Sequence, residues 1–369
     1  MSTSSAKVWW QIVLSIVLVI IIFSILVIAH EWGHFIVARR NGVKVEEFGV
    51  GFPPRMFGRK RGGTLYSLNW LPIGGFVRLK GEDGEAKGKD SFATKAYWPK
   101  VKIVMAGVSM NLLIAYVLIV VLLISGLPAI LPSGFVKFGP IKPSSIETSN
   151  LMVLAVNKGS AAEKAEIKVG SEIISVNGQN LATTEQLQGV TREQAGKEVE
   201  IVVRKDGQNN TVKAVLGTDD KTGYLGLAAQ PIEIARYNPL TALVAGVIVL
   251  FQMVVATIAA FGEFIVGLFT RARVSENVAG PVGIVGLFGG VMQFGWRYAL
   301  AFVASISLSL AVINSLPIPA LDGGRLFVMT LTRLGVKISP QREALVHWAG
   351  FIILILLVII VTISDISRL

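Results

Sequence analysis

The sequence contains no cysteine. That excludes disulfides, thiolate metal sites and cysteine nucleophiles, so any metal must be held by histidine and carboxylate groups. Histidine is itself scarce, at three in 369 residues. Charge is thin as well: Asp, Glu, Lys and Arg make up 16% of the chain, against 52% hydrophobic residues. Soluble domains carry about 25% charge, so this balance excludes a water-soluble globule. Acidic residues are fewer than basic ones, 24 against 35, and the basic surplus is local. Residues 39–100 hold 13 Lys/Arg and 6 Asp/Glu, whereas residues 133–236 hold 12 of each. A basic loop beside an apolar run is the positive-inside signal, and it argues against a nucleic-acid partner. Low-complexity tracts and internal repeats are missing too.

Long apolar runs are what the chain does have. The first, residues 8–38, is long enough to cross a bilayer, which takes about 20 residues. No small-residue cleavage site precedes its histidines, so it reads as a retained span. The expected fold class is a polytopic α-helical membrane protein with four transmembrane helices, a membrane-associated β-hairpin or sheet, and one inserted soluble α+β domain. The spans are placed at 8–38, 101–131, 298–328 and 343–363. Residues 39–100 form the basic, β-containing segment, and residues 134–228 the soluble domain. Residues 236–296 supply an interfacial amphipathic helix, at 239–270, and then a Gly-rich stretch, "VAGPVGIVGLFGG".

The first span ends in "VIAHEWGHFIVA". Residues four apart share a helix face, so His30 and His34 point together and can share one metal. Glu31 lies roughly 100° around, near the ion without being forced to ligate it. This is HExxH, two imidazole ligands with a carboxylate able to take a proton from water. An intramembrane Glu with two His is costly unless function or pairing compensates, which makes a chance match a poor explanation.

Zinc hydrolases usually take three protein ligands. His347, the remaining histidine, begins the last apolar segment and reads as an interfacial residue. The better third ligand is Asp322 in "NSLPIPALDGGRL", where Pro317 and Pro319 break an apolar helix at membrane depth. A helix cap by Asp322 is the bland alternative. Ligands near the ends of two helices meet at one depth only if those helices run the same way. One crossing, the second span, then separates them, and 239–270 must not cross. Its Thr241, Gln252, Glu263 and Thr270 fall within about 40° on a helical wheel, as an interfacial helix requires. Residues 64–80 alternate and carry a turn signal at 72–75, which predicts a hairpin within that segment. Its edge can hold an unwound substrate by strand addition, with Gly74, Gly75 and Phe76 as candidate contacts.

Together these motifs resemble the site-2 protease family of intramembrane zinc metalloproteases, peptidase family M50, in its bacterial branch with a single PDZ domain. The likeness runs over "HEWGH", "GVGFPPRMFG", "LPIGGFVRLKGE", "AGVSMNLLIAY", "GPVGI", "NSLPIPALDGG" and the terminal "SRL". Val108 stands where the family has proline, which bears on helix geometry there and not on chemistry. The resemblance implies zinc held by His30, His34 and Asp322, with Glu31 as catalytic base and Asn314 engaging the substrate. It also implies β-structure against the membrane at the 64–80 segment. Further, it implies single-span membrane substrates, anti-sigma factors or remnant signal peptides, first shortened by an upstream site-1-type protease. It also implies a bacterial cell and its plasma (inner) membrane, and the positive-inside signal places residues 39–100 in the cytoplasm.

Within 134–228, "NKGSAAEKAEIKVGSEIISVNGQNL" resembles the PDZ signature, although Glu166 and Ser171 stand where Gly and Asp are commoner. "GYLGL" would close that domain, facing periplasm or exterior, as a size filter or peptide binder. A catalytically inactive PDZ-bearing scaffold is the alternative function. The intact His30/Glu31/His34/Asp322 set argues against it, as the lack of further ionisable groups along the spans argues against a metal carrier.

Overall fold

The computed structural model describes residues 3–82, 88–128, 141–205, 207–218, 224–271 and 279–367. In chain order the first elements are α1 (Thr3–Arg40), β1 (Val45–Arg61), β2 (Thr64–Leu79), α2 (Tyr97–Ser125), β3 (Leu127–Pro128) and β4 (Ser145–Val156). Next come α3 (Ala161–Lys164), β5 (Glu172–Val176), β6 (Gln179–Asn180), α4 (Thr184–Glu193), β7 (Glu198–Lys205), β8 (Gln208–Val215) and β9 (Leu227–Arg236). The chain closes with α5 (Pro239–Arg271), α6 (Pro281–Met292), α7 (Trp296–Ser315), α8 (Asp322–Arg333) and α9 (Pro340–Ser367). Residues 134–140, Asp206, Gly223 and the terminal Arg368 and Leu369, all invoked by the sequence reading, lie outside the described residues. Contacts divide the chain into two units, residues 1–118, 250–289 and 302–369, and residues 119–249 and 290–301.

In the first unit, α1 has no interior proline, and its N-terminal half turns Trp9, Trp10, Leu14 and Val17 outward. Its C-terminal third is the part that packs. Phe35 and Ala38 share a core with Val45, Phe48 and Leu79 of the sheet, and with Ile103 and Val104 of α2. β1 and β2 form a two-stranded sheet of irregular register. Residues 47–50 have partners in β2 on both sides: Arg78, Val77, Phe76 and Gly75 on one, Leu65, Tyr66, Ser67 and Leu68 on the other. The first set runs opposite to β1 and the second runs with it, so β2 turns back between residues 68 and 75 and flanks β1 on both sides. Another reversal lies at Gly62 and Gly63, both at positive φ, as is Gly74 within the bend between 68 and 75. Two adjacent glycines adopt the left-handed turn freely, and the bend near 72–75 carries β2 to the other side of residues 47–50 within the same sheet. Phe52, Phe57, Trp70, Leu71 and Ile73 are exposed on it.

The expected span at 298–328 is two helices, α7 and α8, because Pro317 and Pro319 end the first. Between them Ala320 takes a φ of 74°. Gly323 and Gly324 then let the new helix press on the carbonyls of residues 315, 316 and 318, where any Cβ would collide. Near the end of α9, Asp365 accepts from the N–H groups of Gly280 (3.2 Å) and Gly283 (2.7 Å), closing the start of α6. α7 is seated on α2 through Ser307 Oγ, which donates to Asn111 O at 2.8 Å. α2 itself is unbroken at Val108.

The second unit is built on a sheet of order β3-β9-β4-β5-β7-β8, with β6 on β5. Leu151, Ile173, Val176, Leu181 and Ile201 fill its core. Both of its expected boundaries shift. α2 ends at Ser125, before the expected 131, because Gly126 (φ 113°) breaks it and Leu127 and Pro128 join the sheet. β9 runs past 228 to Arg236, burying Ala229, Ile232 and Ala235. Glu166 adopts a φ of 56°, the conformation for which glycine was the expected residue. A left-handed residue costs about 1–2 kcal/mol, offset in part by glycine's greater freedom when unfolded. Glu166→Gly is accordingly expected to stabilise this unit by about 0.5–1 kcal/mol. Stronger amide-exchange protection in β5 and β7 would register the gain, and unchanged protection would mean that the turn is unstrained.

By length and composition, five helices among the described residues are able to cross a membrane, one more than the four expected. The additional one is residues 239–267 of α5. Its apolar length exceeds what an interfacial role demands, and periodicity alone does not separate the two cases.

Candidate metal centre

α1 and α2 approach closely enough to make a site because each carries a glycine at the contact. A Cβ at Gly33 would strike the carbonyl of Ala106 on α2, and one at Gly107 would strike Nε2 of both His30 and His34. Both histidines are 7% exposed, so neither is solvated as a surface imidazole would be. His34 Nδ1 lies 2.7 Å from the carbonyl of Ile103. Only a protonated Nδ1 bonds a carbonyl, which leaves a lone pair on Nε2 in the neutral ring.

That lone pair faces two others. His34 Nε2 is 3.1 Å from His30 Nε2 and 3.3 Å from Asp322 Oδ2, and His30 Nε2 is 3.0 Å from the same oxygen. Tetrahedral ligands at zinc bond lengths of about 2.0–2.1 Å stand roughly 3.3 Å apart, so the donor set fits a zinc ion. Among the described residues no other group of three His, Asp or Glu side chains converges in this way. The sequence separates Asp322 from the histidines by most of the chain. The turn at 316–321 starts α8 at Asp322, with the carboxylate turned to the imidazoles and not capping its own helix.

Glu31 is outside the trio. Its Oε2 accepts the N–H of Val77 in β2 at 3.0 Å, so the sheet fixes the carboxylate beside the histidine pair. A cavity of about 370 Å³ opens here, lined by Glu31, His34, Phe76, Val77, Asp322, Arg325 and His347, among others. Arg325, one turn after Asp322, pairs with Glu82, whose other carboxylate oxygen accepts the N–H of Leu79 at 3.1 Å. The end of β2 and the start of α8 are thereby tied.

The substrate candidates divide. Phe76 lines the cavity, with its ring packed on Gly49. Gly74 and Gly75 are buried against α1, the Gly74 N–H donating to Ser24 Oγ at 3.2 Å. Asn314 donates to Leu310 O of its own helix at 2.9 Å and is not among the lining residues. Sequence reasoning missed Gly107, Val77 and Arg325. "AGVSMN" carried the first, but a small residue signals close approach without saying to what. His347, read as interfacial, lines the cavity.

Peptidase family M50 matches residues 18–357. A Clostridium perfringens relative bearing a zinc metalloprotease name is 31% identical over 353 residues, covering 95% of this chain and 98% of the relative. The regulator of sigma-W protease RasP of Bacillus subtilis is 28% identical over 443 residues, covering 96% and 99%. The zinc metalloprotease RasP of Oceanobacillus iheyensis is 27% identical over 438 residues, covering 96% and 99%. Among solved structures, the PDZ domain of an SdrC-like protein from Listeria monocytogenes covers 22% of this chain and 87% of its own. Its identity is 18% and its TM-score 0.20, too low to bear on the fold.

Proposed function

Because the chain belongs to peptidase family M50, a family of zinc metalloproteases, we propose that it hydrolyses single-span membrane proteins within the bilayer. It is a multi-pass membrane protein. In this reading His30, His34 and Asp322 hold the zinc and Glu31 is the catalytic base. The observation that carries it is the convergence of three ligand atoms, mutually 3.0–3.3 Å apart, beside a carboxylate held by a strand.

Zinc supplies a Lewis acid for the scissile carbonyl and makes water acidic enough to attack near neutral pH. Glu31 takes the proton of the attacking water and hands it to the leaving amine. The Val77 N–H holds one oxygen of Glu31 and leaves the other for that transfer. A peptide must be unwound to be cut, and the Phe76-bearing run of β2 offers it strand pairing. Gly74, Gly75 and Asn314 are assigned to the substrate on resemblance, with the geometry above favouring a supporting role for the two glycines.

Four crossings, with α5 in the outer interface, keep the histidines and Asp322 at one depth. Gln252 and Glu263 support this, since both are exposed on α5 and a crossing would turn them to lipid. The exposed apolar tip of β1 and β2 is read as resting in the membrane. Residues 39–100 then face the cytoplasm of a bacterial plasma membrane, and the second unit faces outward as a PDZ domain that filters substrates by size. The substrates are anti-sigma factors or remnant signal peptides already trimmed by a site-1-type protease.

The reading is tested on detergent-purified protein with two forms of one single-span substrate, with and without its folded ectodomain. A zinc chelator is expected to abolish cleavage of the trimmed form, and added zinc to restore it. The untrimmed form is expected to be cut at least about tenfold more slowly. Cleavage that persists after verified zinc removal rules the mechanism out, and equal rates on both substrates rule out the filter.

A further inference from the structure

His347 is the histidine that the proposed chemistry leaves without a task. It sits on α9 and lines the cavity that also holds Glu31, His34 and Asp322. Its Nδ1 lies 2.9 Å from the backbone nitrogen of Ala320, which is the donor. An Nδ1 that accepts carries no proton, so the ring is the neutral tautomer with its hydrogen on Nε2.

Ala320 is the strained member of the turn between α7 and α8, with its φ of 74°. Three residues along α9, on the same helix face, Gly350 meets that turn again: a Cβ there would come within 2.7 Å of the carbonyl oxygen of Pro319. α9 thus grips the turn at two points, one by packing and one by a hydrogen bond. An alanine held at positive φ persists only where its surroundings impose it. Two residues later the chain must present the Asp322 carboxylate.

We propose that His347 is a positioning residue for zinc binding: by accepting the Ala320 N–H through Nδ1, it fixes the turn that aims Asp322 at His30 and His34. The proposal rests on Asp322 being a zinc ligand. It assigns His347 no bond to the metal and no contact with substrate.

Isosteres separate the two ring nitrogens. Asparagine places Oδ1 where Nδ1 was, whereas glutamine places its amide near the position of Nε2. The experiment is chelator competition for zinc on the full-length protein, with His347→Leu, His347→Asn, His347→Gln and Asp322→Asn. Loss of an outer partner of a ligand costs about 10–100-fold in metal affinity, so Leu and Gln are expected to weaken zinc by that factor and Asn to stay within about threefold of the unaltered protein. Should the Leu variant fail to fold, the contrast between Asn and Gln still decides. Rescue by Gln and not by Asn overturns the proposal, as does unaltered affinity in all three, or an Asn variant as weak as Leu. Unaltered affinity in Asp322→Asn removes the ligand assignment itself, and this proposal with it.

Discussion

With glutamine in place of glutamate at position 31, the protein is expected to keep about one zinc per chain and to lose hydrolysis by about 10²–10⁴-fold, the usual share of general acid–base catalysis. The substitution conserves size, and the new amide oxygen can still accept the Val77 N–H that Glu31 accepts at 3.0 Å. What disappears is an oxygen able to hold a proton between water and amine. Fold and metal site should be unmoved, because Glu31 is not among the three converging ligand atoms. Metal content by elemental analysis and fragment release from a trimmed single-span substrate are the two readouts. A variant that retains both zinc and full activity removes Glu31 from the mechanism. One that loses zinc as well makes the carboxylate a ligand.

The second large effect is expected at a glycine of "AGVSMNLLIAY" that has no chemistry of its own. Gly107→Ala adds one methyl group to α2 at the point where it meets Nε2 of both histidines. The helices cannot part cheaply there, since Ile103 O is bonded to His34 and Gly33 lies against Ala106 on the same face. Overpacking of this kind costs about 1–3 kcal/mol in a well-packed interior. Here it falls on the nitrogen atoms of the proposed metal site. Zinc affinity is expected to fall by about 100-fold or more, at the upper end of what disturbed ligand support causes, with helix content unchanged by circular dichroism. A Gly107→Ala protein that binds zinc normally would show that the histidines have another way to meet the ion.

The contrast between these positions shows what sequence could convey. HExxH is local: five residues and the helical period suffice to put two imidazoles on one face. Asp322 is legible by a different route, as the one acidic group beside a proline-broken apolar helix, and its turn to the histidines followed from depth alone. Gly107 was quoted but carried no assignment, because its role is defined by what lies across the α1–α2 contact. The bond from the Ala320 N–H to His347 was not legible, because the turn it joins belongs to a stretch 27 residues earlier and hydropathy carries no partner. The turn signal at 72–75 marked a real reversal of β2, but the arms on either side of it do not pair with each other, because residues 47–50 of β1 lie between them. α5 was assigned to the interface from its polar stripe and the depth argument, yet 239–267 is also apolar enough to cross.

The converging atoms are contributed by stretches that leave the ribosome at very different times. His30 and His34 enter the membrane with the first helix, whereas Asp322 follows roughly 290 residues later, about 15–60 s at ordinary rates of synthesis. Until then the pair lacks its carboxylate, and the turn that presents it lacks α9. Under the proposed ligand set, a chain that ends before Asp322 would lack the third ligand and would not cut the apolar segments being inserted around it. In that reading the order of the elements along the chain would do for this protein what a removable pro-segment does for a secreted protease.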